Sequence, residues 1–117
     1  MHVRRGDYLT TYNGALHHLN DAYYRGAIKK MELLLGASAK MVVCSDDIAW
    51  CREQAMFSRA EFVDDPNEVR TMWIMSRYEN FVMSNSTFCW WSVFLGAKHK
   101  HVIAPDPWHH ENTRQPF

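Results

Sequence analysis

Three short polar runs hold most of the residues that could do chemistry: His2-Val3-Arg4-Arg5-Gly6-Asp7, Ser45-Asp46-Asp47 and Ser84-Asn85-Ser86-Thr87. An arginine suits a diphosphate because its planar fork donates two parallel, charge-assisted hydrogen bonds. Side chains alternate along a strand, so His2 and Arg4 share one face while Val3 and Arg5 share the other. One guanidinium can then address a ligand above a sheet with His2 beside it, and Arg5 braces the corner by pairing with Asp7. A surface Arg–Asp pair is the plainer account of the same residues. Arg5-Gly6-Asp7 also spells an adhesion tripeptide, but three residues recur by chance too often to carry that meaning. In the third run, hydroxyls and free backbone N–H groups at a helix N-terminus form a phosphate site. The same residues would equally make an ordinary Ser/Thr cap over a core helix.

Composition narrows the partners. The chain has 117 residues, 47% hydrophobic and 14% aromatic, with five Trp, which is enough for one folded core. Thirteen basic residues balance thirteen acidic ones, so an anionic ligand must be held locally rather than by a global field. Nucleic acid is not an expected partner. Cys44, Cys51 and Cys89 form no CxxC pair and read as reduced, buried thiols of a cytosolic protein. No apolar run reaches the length of a membrane span, and His2, Arg4, Arg5 and Asp7 leave no signal-peptide core. A cytoplasmic location follows as the expectation, compatible with a larger parent bound peripherally at the inner membrane. His17-His18 and His109-His110 are adjacent pairs, and His99 and His101 have no carboxylate or Cys set nearby, so no metal site is expected.

The elements that must position these runs alternate strand and helix. Met1 to Val3 ends a strand at the Arg4–Asp7 corner. Asn20 caps a helix running to about Leu35, with Tyr23, Ala27, Ile28, Met31, Leu34 and Leu35 as its apolar face and Gly36 past its end. Met41–Cys44 is a wholly apolar strand, and Ser45 to Asp47 then caps a short helix through Gln54. Glu61–Val63 is a weaker strand. Asn67 opens a helix with Val69, Met72, Trp73 and Ser76 along one side. Asn80–Met83 is a strand leading into a helix that carries Trp90, Trp91, Phe94 and Leu95 and stops at Gly96, both tryptophans being assigned to the core. His101–Ala104 is the last strand. Together they predict an α/β fold, a Rossmann-like parallel sheet of about five strands with helices on both faces. Ligands collect at the carboxyl ends of such strands, where all three polar runs fall.

In order and spacing, His2 to Tyr8, Ser45-Asp46-Asp47 with Trp50-Cys51, Ser84 to Trp91, and Val102 to Pro105 with Trp108 resemble glycosyltransferase family 11, the α-1,2-fucosyltransferases. The resemblance covers nearly the whole chain. It implies a two-domain GT-B enzyme whose C-terminal half binds GDP-fucose without metal or other cofactor. Residues 1–117 would be part of that donor-binding half, with the acceptor-side N-terminal domain absent or supplied by a partner chain. The implied reaction is inverting transfer of L-fucose to the 2-hydroxyl of a galactose-containing glycan. On that resemblance Arg4 is the essential arginine on the β-phosphate. His2, Arg5 and Asp7 support the donor or its loop, Asn85, Ser86 and Thr87 meet the diphosphate, and Asp46 and Asp47 line the nucleotide side. The chain departs from the family at Thr71, where relatives usually carry an Asp that can recognise guanine; Glu68, one helical turn earlier, is the candidate substitute. A non-catalytic nucleotide-sugar or glycan-binding remnant is the alternative reading, and a transferase using another nucleotide sugar is a third.

Overall fold

The computed structural model describes residues 1–6, 19–96 and 98–106. The apolar Met41–Cys44 run sets the architecture by forming β2 (Val42–Ser45) at the centre of a sheet. β1 (His2–Val3) lies parallel on one side, with His2 opposite Cys44 and Val3 opposite Ser45. β3 (Glu61–Val63) lies parallel on the other, with Val42 opposite Glu61 and Cys44 opposite Val63. β4 (Asn80–Val82) and β5 (His101–Ile103) form a separate parallel pair.

Every described pairing is parallel, as the alternation of strands and helices predicts. The expected single sheet of five strands is corrected to a sheet of three and a sheet of two. The reason is local. With only His2 and Val3 in strand conformation, β1 has too little backbone to form ladders on both sides. Side chains make the junction instead: the Tyr23 hydroxyl donates to the Met83 carbonyl, and His2 Nδ1 lies 2.6 Å from Ser84 Oγ.

Alternation along β2 divides the core. Val43 faces one side of the sheet and packs with Val3, Tyr24, Cys51 and Phe57. Tyr24 comes from α1 (Asp21–Leu35) and Cys51 from α2 (Ile48–Glu53). Cys44 faces the other side, with Met75, Phe81, Met83 and Cys89. Met75 and Cys89 belong to α3 (Glu68–Ser76) and α4 (Thr87–Leu95). Helices therefore cover both faces, as expected, and each large apolar side chain so buried contributes about 1.5–3 kcal/mol.

The helix signals hold closely. Asn20 Oδ1 accepts the Tyr23 N–H at 3.0 Å to start α1, and Gly36 ends it at φ 92°, a conformation that side chains disfavour. Asp47 and Asn67 likewise cap α2 and α3 through the backbone N–H of Trp50 and Arg70.

Two assignments of faces are corrected. Tyr24 and Ala27 are the buried residues of α1, while Leu34 and Leu35 in its last turn are exposed. On α4, Cys89 and Ser92 point inward, and Trp90 and Trp91 are 44% and 49% exposed rather than core. Trp90 stacks on Phe94 with ring centroids 5.0 Å apart. A helix apolar on every side gives no periodic signal for which side is inside. Here the two small residues set the close approach to the sheet.

Candidate active site at the carboxyl ends of the strands

All three strands of the first sheet end at one cleft of about 310 Å³. β1 supplies His2 and the segment after it Arg4, β2 supplies Ser45 and the segment after it Asp46, and the segment after β3 supplies Asp64 and Asp65. Glu68 and Thr71 enter from α3, and Phe88 from the first turn of α4. This is where a parallel sheet presents a ligand site.

Arg4 and Asp46 form the centre of the site. Arg4 Nε lies 3.4 Å from Asp46 Oδ2, with both side chains about one quarter exposed. Asp46 also accepts the backbone N–H groups of Arg5 and Gly6, each at 2.8 Å. One carboxylate thus folds the chain after β1 into a corner and pairs with the guanidinium beside it. Gly6 lets the carboxylate sit close: a Cβ there would meet Asp46 Oδ2 at 2.6 Å and force it to shift.

His2 sits behind Arg4, 3% exposed, with its ring against Phe88 at 5.7 Å. Burial, then the N-terminal ammonium and Arg4, lower its pKa to about 3. The ring is therefore neutral at pH 7, and its hydrogen bond to Ser84 ties β1 to the segment leading into α4.

Arg5 has a different role. Its guanidinium carbon lies 3.6 Å from the centroid of Trp50, and its Nε is 3.4 Å from Asp47 Oδ2. It braces the corner, as expected, through Asp47 and Trp50; Asp7 lies outside the described residues. Asp47 serves as the N-cap of α2. Neither Arg5 nor Asp47 is among the described residues lining the cleft.

The Ser84–Thr87 run is divided as well. Ser84, Asn85 and Ser86 are buried, whereas Thr87 is exposed. Ser86 is the N-cap residue of α4 through its carbonyl, which accepts from Trp90, but its hydroxyl makes no capping bond. Asn85, Ser86 and Thr87 stand beside the cleft without lining it, and Phe88 is the α4 residue that does.

Thr71 and Glu68 both line the cleft, so the position departing from the family pattern and its candidate substitute share one wall. Thr71 Oγ1 is 3.4 Å from the Asp65 carbonyl. Sequence reasoning assigned no role to Asp64 and Asp65. Their place directly after a parallel strand was the available signal. Arg52 pairs with Asp64 at 3.2 Å, and Arg70 grips Asp65 at 2.8 and 3.0 Å, which lowers the Asp65 pKa. A second cavity, of about 360 Å³ between β2 and β4, includes none of these runs.

Residues 1–115 match the family model described as glycosyl transferase family 11, and the chain belongs to that family. It is 31% identical over 116 residues to an alpha-1,2-colitosyltransferase of Escherichia coli, covering 92% of this chain and 40% of that protein. It is also 31% identical over 121 residues to the O-antigen biosynthesis glycosyltransferase WbnK of Escherichia coli, covering 97% of this chain and again 40% of the relative. The chain thus spans about two fifths of the length of these curated relatives. No solved structure gives a significant match. Among the described residues no helix is long and apolar enough to cross a membrane.

Proposed function

We propose that this chain is the donor-binding half of an inverting, GT-B-type fucosyltransferase, acting with an acceptor-side domain to move L-fucose from GDP-fucose to the 2-hydroxyl of a galactoside. The observation that carries the reading is Arg4, positioned by Asp46 at the mouth of a cleft on the strand ends of a family 11 chain. Breaking the sugar–phosphate bond builds negative charge on the departing GDP. A guanidinium fixed in advance stabilises that charge without reorganisation. Neutral His2, held by Ser84, lies behind Arg4 without adding a second positive charge beside it, and Asp46, through Arg5 and Gly6, holds the loop that carries Arg4. Ser86 and Thr87, with the first N–H groups of α4, meet the diphosphate from the other side. Glu68 accepts from the guanine edge in place of the Asp that Thr71 replaces. Transfer needs no metal, since Arg4 takes the part of a divalent cation.

A second donor has a specific reason behind it. One relative is named for transferring a colitosyl group with α-1,2 linkage, so a colitosyl donor is the competing substrate at the same cleft. Calorimetric titration of GDP, GDP-fucose and GDP-colitose into the wild-type chain and Arg4→Ala tests both. The expected result is a Kd raised at least tenfold in the variant, about 1.4 kcal/mol or more. Tighter binding of GDP-colitose than of GDP-fucose would transfer the reading to the second donor. A folded wild-type chain that binds none of the three would leave the motifs as inherited architecture, the non-catalytic remnant.

A further inference from the structure

Two adjacent aspartates follow β3, and their surroundings divide them. Asp65 is fully engaged: its Oδ1 accepts the Asn67 N–H at 2.8 Å and Arg70 Nη2 at 3.0 Å, and its Oδ2 accepts Arg70 Nε at 2.8 Å. It fixes the turn into α3, and only 22% of its side chain is exposed. Asp64 is open. Its Oδ2 lies 3.2 Å from Arg52 Nη2, while its Oδ1 makes no hydrogen bond among the described residues. Its side chain is 62% exposed and lines the cleft, so a ligand there can reach it. The Arg52 guanidinium carbon lies 5.8 Å from the centroid of Phe62, which steadies the pair against β3.

The strand order sets the span. Arg4 follows β1 and Asp64 follows β3, with β2 between them, so the two strand ends stand about 10 Å apart, two strand spacings. A nucleotide whose diphosphate meets Arg4 carries its ribose across that span and its base beyond, towards Glu68 and Thr71 on α3. Charge then selects the group that Asp64 can face. A carboxylate held by one exposed arginine is unfavourable beside a phosphate and accepts from hydroxyl or N–H donors. Ribose offers two adjacent, neutral hydroxyls, and a carboxylate at the end of a parallel strand suits such a pair.

We propose that Asp64 recognises the ribose of the donor nucleotide. Its Oδ1 accepts from one ribose hydroxyl, and its Oδ2, which keeps its bond to Arg52, accepts from the other. Asp64 thereby makes the cleft selective for ribonucleotides, while Asp65 holds the turn beside it. The inference rests on the donor reading and adds to it the residue that reads the sugar of the nucleotide.

The test is calorimetric titration of GDP, its dideoxy analogue lacking both ribose hydroxyls, and inosine diphosphate into wild type, Asp64→Ala and Asp65→Ala. Wild type should bind GDP about tenfold more tightly than the dideoxy analogue, as expected for hydrogen bonds to a charged acceptor. In Asp64→Ala the two should bind alike. Asp65→Ala should keep the preference, although both affinities fall together. Equal binding of GDP and the dideoxy analogue by wild type overturns the inference and leaves the donor reading standing. A preference that persists in Asp64→Ala also overturns it. So does an Asp64→Ala variant that loses discrimination against inosine diphosphate while keeping its diol preference, because Asp64 would then read the base. A folded wild-type chain that binds none of the three nucleotides overturns the donor reading itself.

Discussion

Lowering the pH from 7 to 5 should destabilise this protein specifically through His2. The folded state holds the ring neutral, with a pKa of about 3, while an unfolded chain takes up the proton near the ordinary histidine value of 6.5. Between those values the unfolded state binds more protons, so this contribution is complete above pH 6.5 and is lost as the pH falls towards 3. Each pH unit in that window costs about 1.4 kcal/mol, which gives a loss of about 2 kcal/mol at pH 5. The comparison is wild type against His2→Asn, whose amide can donate to Ser84 Oγ but does not titrate. Urea unfolding of both at pH 7 and pH 5 cancels the carboxylates and the buried Met1 amine, whose pKa is also lowered by burial. Wild type should lose about 2 kcal/mol more than the variant. Equal losses, or an NMR titration of the His2 ring with a midpoint near 6, would refute the claim that burial keeps this imidazole neutral.

Gly6→Ala should push the Asp46 carboxylate off the corner, because its Cβ would lie 2.6 Å from Oδ2. Calorimetry should show GDP affinity falling at least tenfold, with a melting temperature close to wild type because those bonds lie at the surface. Asp47→Ala removes the cap on Trp50 N–H and the partner of Arg5 together, and urea denaturation should register a loss of about 1–2 kcal/mol. The three thiols are free and buried, and burial raises all three pKa values, Cys89 to about 12. A thiol reagent at pH 8 should therefore label none in the native protein and all three in denaturant.

The fold was legible wherever local chemistry decides the outcome. Asn20, Asp47 and Asn67 announce helix starts because a short side-chain acceptor satisfies an orphan N–H whatever surrounds it. The Met41–Cys44 run identifies a covered strand because no amphipathic alternative fits it. The faces of α1 and α4 were not legible. Leu34 and Leu35 continue the apolar period of α1 yet stay exposed, and α4 offers apolar residues on every side. Which side turns inward depends on how closely the helix can approach the sheet, and Cys89 and Ser92 decide that only in three dimensions. The site shows the same division. Arg4, His2 and Asp46 could be placed from strand alternation and the ligand-end rule. The removal of Arg5 to Trp50 depends on a contact across 45 positions of sequence that no spacing rule contains.

That contact explains how two adjacent arginines can act differently. An arginine pair at a strand end has ten N–H donors and no intrinsic reason for either to hold still. Trp50 and Asp47 engage Arg5, leaving its side chain 13% exposed, and Asp46 engages its backbone N–H. With Arg5 committed to the scaffold, the chain direction at Arg4 is set, and Arg4 turns to the cleft on the same face as His2. The Arg4–Asp46 distance of 3.4 Å is long for a charge-assisted bond, and both groups keep access to water. An exposed pair of this kind contributes at most about 1 kcal/mol, so a diphosphate that offers the guanidinium two shorter bonds can displace the carboxylate's hold. Asp46 loses little in the exchange, because the backbone N–H groups of Arg5 and Gly6 continue to stabilise its charge. The resting partner is thus strong enough to orient Arg4 and weak enough to release it to a ligand.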